Sequence, residues 1–190
     1  MWNEKEMIHF LRVNLKESRF RHCLSVSETA VTLAVKYGGN VEKARIAGLV
    51  HDCAKNMKDE EFIKVAIEHE IPLDEIYLHN PSILHGLVGS IIAKTVMGIY
   101  DADILSAIRY HTTGRKNMSI LEKIIYIADY IEPLRKFNGV EELRSLSKVD
   151  LDAAVMQSLG DTIKYVIIQN GLLHIDTIDA RNYLLIEKSR

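Results

Sequence analysis

Proline is scarce in this 190-residue chain: Pro72, Pro81 and Pro133 are the only three. Long tracts are therefore free to be helical. Cysteine is as scarce, and Cys23 and Cys53 form neither a CxxC pair nor a disulfide framework. They read as two buried cytosolic thiols. Net charge is nearly absent, at −2, which gives no electrostatic reason to expect a nucleic acid polymer or an anionic membrane as partner. No apolar tract reaches membrane-spanning length, and Met-Trp-Asn-Glu-Lys-Glu at the start lacks the apolar core of a signal peptide. The expected setting is soluble and cytoplasmic. Strand-like alternation is also missing, so the fold class is all-α: one domain, of a length that hides about 70% of the unfolded surface.

What is present is helical periodicity. It predicts helices over 2–15, 18–37, 40–52, 59–70, 85–97, 101–111, 119–132, 141–146 and 151–170, and a last one from about Asp179. Gly38-Gly39 stops the second helix, Asn40 caps the third, and Ser119 with Glu122 forms a capping box. Residues 73–81 read as short and irregular. The 85–97 stretch is apolar nearly all round and reads as central rather than superficial. The apolar residues of 151–170 serve either the core or a homodimer.

The chemistry concentrates on the histidines. His9 and His69 sit among charged neighbours and read as surface residues, and His79 is uninformative. His22, His51, His85 and His111 instead lie at helix ends or on apolar helices. His51 directly precedes Asp52 at the end of an apolar run. Adjacent helical residues point about 100° apart and converge only where the backbone loosens at a helix end. Asp129 interrupts an apolar run, where an unpaired charge is costly. It has either a salt bridge, with Arg135 or Lys123, or a metal ion.

Imidazole and carboxylate together suit Fe, Mn, Zn or Co. Six such groups from successive helices fit the way bundles build metal sites. Either two ions sit side by side, or one is held by four groups while His85 and His111 face the substrate. Of the nearby cations Arg19, Arg21, Lys55, Arg115 and Arg135, Lys55 and Arg135 are best placed to hold an anion, and Arg21 reads as solvated.

The order H…HD…H…H…D on an all-α scaffold resembles the HD superfamily of metal-dependent phosphohydrolases. Arg19-Phe20-Arg21-His22, His51-Asp52-Cys53-Ala54-Lys55, His85-Gly86-Leu87-Val88-Gly89, His111-Thr112-Thr113-Gly114, Ile127-Ala128-Asp129-Tyr130-Ile131-Glu132-Pro133 and Arg181-Asn182 are similar to its YqeK-type branch. That branch comprises the symmetrical bis(5'-nucleosyl)-tetraphosphatases, and the likeness runs from about residue 18 to 183.

The resemblance implies a single HD-type helical bundle over 1–190, with its core at about 18–135 and helices over 141–187 completing a nucleotide site. It implies an iron-type centre on His22, His51, Asp52 and Asp129, with Mn, Co, Ni or Zn as alternatives and one or two ions. Catalytic roles would fall to His85, His111 and Asp52. Arg19, Lys55 and Arg135 would contact phosphates, and the turn His174-Ile175-Asp176-Thr177, with Arg181, would approach the nucleoside. One departure is Lys58, where a serine-like cap is expected.

The implied reaction is attack of metal-activated water on phosphorus, turning diadenosine tetraphosphate into two ADP. ADP- or GDP-like products are then ligands too. Rival readings are another HD phosphohydrolase (of a nucleoside monophosphate, a nucleoside triphosphate or a cyclic dinucleotide), a slow nucleotide-binding regulator, and an HD-type di-iron oxygenase.

Overall fold

A computed structural model of the chain describes residues 1–189. Among these residues there are helices and no strand, in line with the sequence. In chain order the helices are α1 (Glu4–Asn14), α2 (Glu17–Tyr37), α3 (Val41–Val50), α4 (Asp59–Glu68), α5 (Glu75–His79), α6 (His85–Thr95), α7 (Ala102–Tyr110), α8 (Ile120–Ile131), α9 (Val140–Ser147), α10 (Leu151–Ile168) and α11 (Ile175–Lys188), with a 3-10 turn at Pro81–Leu84. No helix is long and apolar enough to cross a membrane.

The caps explain most boundaries. Gly38 ends α2 in the left-handed conformation at φ 67°. Asn40 accepts from the Lys43 amide at 2.9 Å to start α3. Ser119 and Glu122 form the reciprocal capping box of α8. At Lys58 no side-chain cap exists, but the Glu61 carboxylate takes the Lys58 amide at 2.7 Å. Half of the capping box therefore survives the departure noted at this position.

Several expected boundaries move. The irregular stretch contains α5, capped by Asp74, and the 3-10 turn. Helix α4 stops at Glu68, ahead of Pro72, because Glu70 turns left-handed at φ 55°. Helix α11 begins at Ile175 rather than near Asp179, because the His174 ring accepts from the Asp176 amide and acts as its N-cap. What reads as a turn at 174–177 is a cap followed by the first helical residues.

Helix α6 is buried from His85 to Gly89, as expected, and α8 is more enclosed still. Leu121 and Glu122, Ile124 through Ala128 and Ile131 are all buried, because α2, α3, α7 and α10 surround it. Helix α6 buries Gly86, Gly89 and Ala93 beside His85, Leu87 and Val88, and leaves Val96 at its end 45% exposed. Its small residues serve close approach. A Cβ on Gly86 would stand 2.7 Å from the Arg109 carbonyl oxygen on α7, and one on Gly48 would stand 2.9 Å from the Ser27 Cα on α2. Both glycines lie next to the histidines of interest.

The main apolar cluster joins α1, α2, α3, α7, α8, α9, α10 and α11, with Ala93 from α6. A second, smaller cluster holds Ala54, Phe62, Leu84, Leu87 and Val88 beneath α4 and α5. Cys23 and Cys53 are both free and buried.

Candidate metal centre and active site

Four histidines enter the interior from four different elements. His22 lies on α2, His51 caps the C-terminus of α3, His85 opens α6 and His111 caps α7. The outer nitrogen of each is engaged. His51 Nδ1 donates to the Gly48 carbonyl at 2.8 Å, His85 Nδ1 to Ser82 at 2.6 Å and His111 Nδ1 to Ile108 at 2.7 Å. His22 Nδ1 donates to the Glu132 carboxylate at 2.9 Å. Carbonyls and carboxylates only accept, so Nδ1 must carry the proton in each ring. In the neutral imidazole, each Nε2 therefore turns a lone pair inward.

Those inward nitrogens meet two carboxylates. His22 Nε2 lies 2.9 Å from Asp129 Oδ1 and 3.9 Å from Asp52 Oδ2. His51 Nε2 lies 3.4 Å from Asp52 Oδ2 and 3.9 Å from Asp129 Oδ1. On its other side, Asp52 Oδ1 stands 3.2 Å from His85 Nε2 and 3.4 Å from His111 Nε2. His85 and His111 approach each other to 3.0 Å between their Nε2 atoms.

Despite these distances, His22 Nε2, His51 Nε2 and Asp52 Oδ1 make no hydrogen bond of acceptable geometry. Buried acceptors that close to one another repel unless a cation lies between them. Bonds of about 2 Å to a metal would put neighbouring donors about 3 Å apart. The residues present thus fit a divalent ion. Donor atoms of His22, His51 and Asp129 form one compact set, and those of His51, Asp52 and His111 a second. All four expected ligands, with His85 and His111, are brought together.

Three of the five basic residues ring this cluster. Arg19 donates to Asp52 Oδ2 at 2.7 Å, and Lys55 Nζ lies 3.1 Å from His85 Nε2. Arg135 holds Asp129 through Oδ1 and, at 2.8 Å, through its backbone oxygen. The Arg135 salt bridge considered for Asp129 is therefore present, alongside the histidine contacts. Lys123 instead pairs with Asp152 at 2.7 Å. Arg115 is turned away onto Glu122 at 2.7 Å, and Arg21 is exposed.

The electrostatics favour charged carboxylates. Burial pushes Asp129 up, but the Arg135 guanidinium paired with it overcomes burial and helps hold the acid well below the carboxylate range. Asp52 behaves alike: burial opposes, and His51, His111 and His85 prevail. Burial lowers both His85 and Lys55, although Asp52 pulls each the other way.

Ile175, Asp176, Thr177 and Arg181 do not line the cavities that open on the cluster. Ile175 is exposed, Thr177 is buried, and Arg181 lies beside Gly160. Two contributors escaped the sequence reading. Glu132 is buried behind His22, and the Thr112 hydroxyl lies 3.1 Å from Nε2 of both His85 and His111. The Asp-x-x-Glu spacing on α8 was the available signal for Glu132.

Comparison with known proteins agrees with this geometry. The HD domain family model matches residues 19–134. The chain is 40% identical to the symmetrical bis(5'-nucleosyl)-tetraphosphatase of Halalkalibacterium halodurans, over 98% of this chain and 99% of that one. It is 39% identical to the protein of the same name from Bacillus subtilis, over 96% and 98%. A crystal structure of an HD superfamily hydrolase described as involved in NAD metabolism, from Clostridium acetobutylicum, superposes with a TM-score of 0.97. It is 52% identical and covers 98% of this chain and 99% of that one. With its histidines and aspartates converging inside the matched region, this chain belongs to the HD domain family.

Proposed function

We propose that the protein is a symmetrical bis(5'-nucleosyl)-tetraphosphatase, hydrolysing diadenosine tetraphosphate to two ADP. The observation that carries this reading is a buried His/Asp cluster with three cations in hydrogen-bond contact with it, Arg19, Lys55 and Arg135. Such a ring suits a polyanion held against a metal. The names borne by relatives that align along nearly the whole chain supply the nucleotide.

His22, His51, Asp52 and Asp129 would hold the ion, iron in the first instance, with Mn, Co, Ni or Zn as substitutes. When bound, it supplies Lewis acidity toward phosphoryl oxygens and a more acidic water. The chain's own residues do the rest. Arg19 and Arg135 can neutralise the polyphosphate without moving far, since each already sits on a cluster carboxylate. His85, kept neutral by burial, takes or gives a proton at Nε2, where Lys55, His111 and Thr112 converge. The contact of His85 and His111 with Asp52 Oδ1 also offers a seat for a second ion. The setting is the cytoplasm, and the exposed apolar residues at the end of α10 leave room for a second copy of the chain.

The test is a single turnover on diadenosine tetraphosphate in water enriched in heavy oxygen. ADP should be the only nucleotide product, and one ADP of each pair should carry the label on its terminal phosphate. ATP plus AMP would overturn the symmetrical cut.

A further inference from the structure

A symmetrical dinucleoside substrate needs seats for two nucleosides, and the structure contains a cavity that the metal chemistry leaves unused. It measures about 490 Å³ and shares His111, Thr112, Asp129 and Arg135 with the cluster at one end. That volume is in the range of small-molecule sites, roughly 300–1,000 Å³. Away from the cluster it runs between α8, the segment leading into α9, and α10. There its lining is aromatic: Tyr126, Tyr130, Phe137 and Tyr165, with Asp161 and Thr162 beside them.

The aromatic wall is ordered by contacts within itself. Tyr126 and Tyr130 stack with centroids 6.2 Å apart, and Phe137 meets Tyr130 edge-on at 5.5 Å. The Tyr130 hydroxyl is 3.2 Å from the Thr162 hydroxyl across the cavity. Yet two of these rings are not spent on core packing, since Phe137 is 42% and Tyr165 65% exposed. Beneath them the Tyr126 hydroxyl is buried and makes no hydrogen bond. A buried hydroxyl without a partner is costly, and here it lines a cavity that a ligand can enter.

We infer that this cavity is a nucleoside subsite. It stacks a purine base of the dinucleoside polyphosphate on Phe137, Tyr130 and Tyr165, while Arg135 at its mouth passes the phosphates to the cluster. The inference rests on the hydrolase reading above. The subsite is distinct from the 175–181 segment, none of whose expected contact residues line it. Aromatic stacking tolerates any base, so the subsite selects for a nucleoside over bare phosphate rather than for one base.

The test uses the metal-loaded protein, the double variant Phe137→Ala with Tyr165→Ala, and two ligands followed by calorimetry. One is a diadenosine tetraphosphate analogue whose central bridging oxygen is a methylene; the other is inorganic tripolyphosphate. Stacking on aromatic residues predicts that the analogue binds the variant about 10- to 100-fold more weakly, with tripolyphosphate bound as by the parent. In turnover, KM for diadenosine tetraphosphate should rise by a similar factor and kcat change far less.

Equal analogue affinity in parent and variant overturns the subsite. So does an equal loss for tripolyphosphate, which would mean damage at the cluster. A parent that binds the analogue but does not cleave the tetraphosphate refutes the hydrolase reading while leaving the binding comparison to decide the subsite. A parent that does not bind the analogue refutes the subsite outright.

Discussion

His22 differs from the other three inward-facing histidines in what holds its outer nitrogen. His51, His85 and His111 each donate to a carbonyl three residues back, a local contact that a helix end provides. His22 instead reaches Glu132, 110 positions further along the chain. Glu132 is buried, and its other oxygen takes the Leu134 amide at 2.6 Å. Burial raises this acid, but hydrogen bonds with Ser25 and His22 bring it below its ordinary value, so it meets the ring as a carboxylate. A carboxylate on Nδ1 fixes the tautomer and makes Nε2 a better donor to a metal. Glu132→Ala should therefore weaken metal binding about 10- to 100-fold while helical content is kept. Competition with a fluorescent chelator would show it, and parental affinity would remove Glu132 from that role. The six inner residues were legible because they lie at helix ends or on apolar helices. Glu132 stood inside the motif that carries the family likeness, but nothing in the sequence pointed to a partner 110 positions away.

At the scale of the helix, what positions the chemistry is the close approach of backbones. Gly86 lets α6 lie against the carbonyls of Arg109 and Ile108 on α7. This contact sets His85 and His111 3.0 Å apart. In Gly86→Ala the added methyl would press on backbone, which yields less than a side chain. A cost of about 1–3 kcal/mol follows from overpacking, and α6 must shift, taking His85 with it. Urea denaturation and turnover should both register the change, and an unaltered midpoint with full activity would show that the contact is soft. The apolar character of the 85–97 stretch was visible in the sequence and read as a sign of burial; the close approach that its glycines allow was not. The pattern records apolarity, whereas burial depends on how many helices surround the element, and for that α8 is better placed. The start of α11 was missed for a related reason, because histidine is not among the preferred N-caps, yet the His174 ring serves as one.

The whole molecule carries a charged cluster inside an apolar bundle, and its stability should depend on what neutralises that cluster. An ion that binds only the folded state stabilises by about 2.7 kcal/mol at a hundredfold excess over its Kd. Melting after exhaustive chelation should occur at lower temperature than with added Fe, Mn or Co, and the gain should grow with metal concentration. Identical melting curves with and without metal would contradict a folded-state site. The all-α class and the convergence of distant helices on one centre were legible from periodicity and from the cost of isolated buried charges. The seat that we infer for a nucleoside was not. Tyr126, Tyr130, Phe137 and Tyr165 come from three segments, and nothing in their spacing announces that they face one cavity.

The smaller apolar cluster beneath α4 and α5 divides the molecule unevenly in time as well as in space. Phe62, Leu84, Leu87 and Val88 pack mainly on one another rather than on the principal core. A segment with few contacts elsewhere opens at less free energy than the body that carries it. Native-state hydrogen exchange should therefore find the amides of α4 and α5 exchanging well before those of α8. Phe62→Ala should hasten that exchange selectively, with the protection of α8 nearly unchanged. Lys55 and Ser82 stand at the two ends of this segment, and both touch His85. Each opening would thus release the contacts of the His85 ring while the candidate ligands on α2, at the end of α3 and on α8 remain in register, so the protein would breathe on the His85 side of the cluster and stay shut on the other.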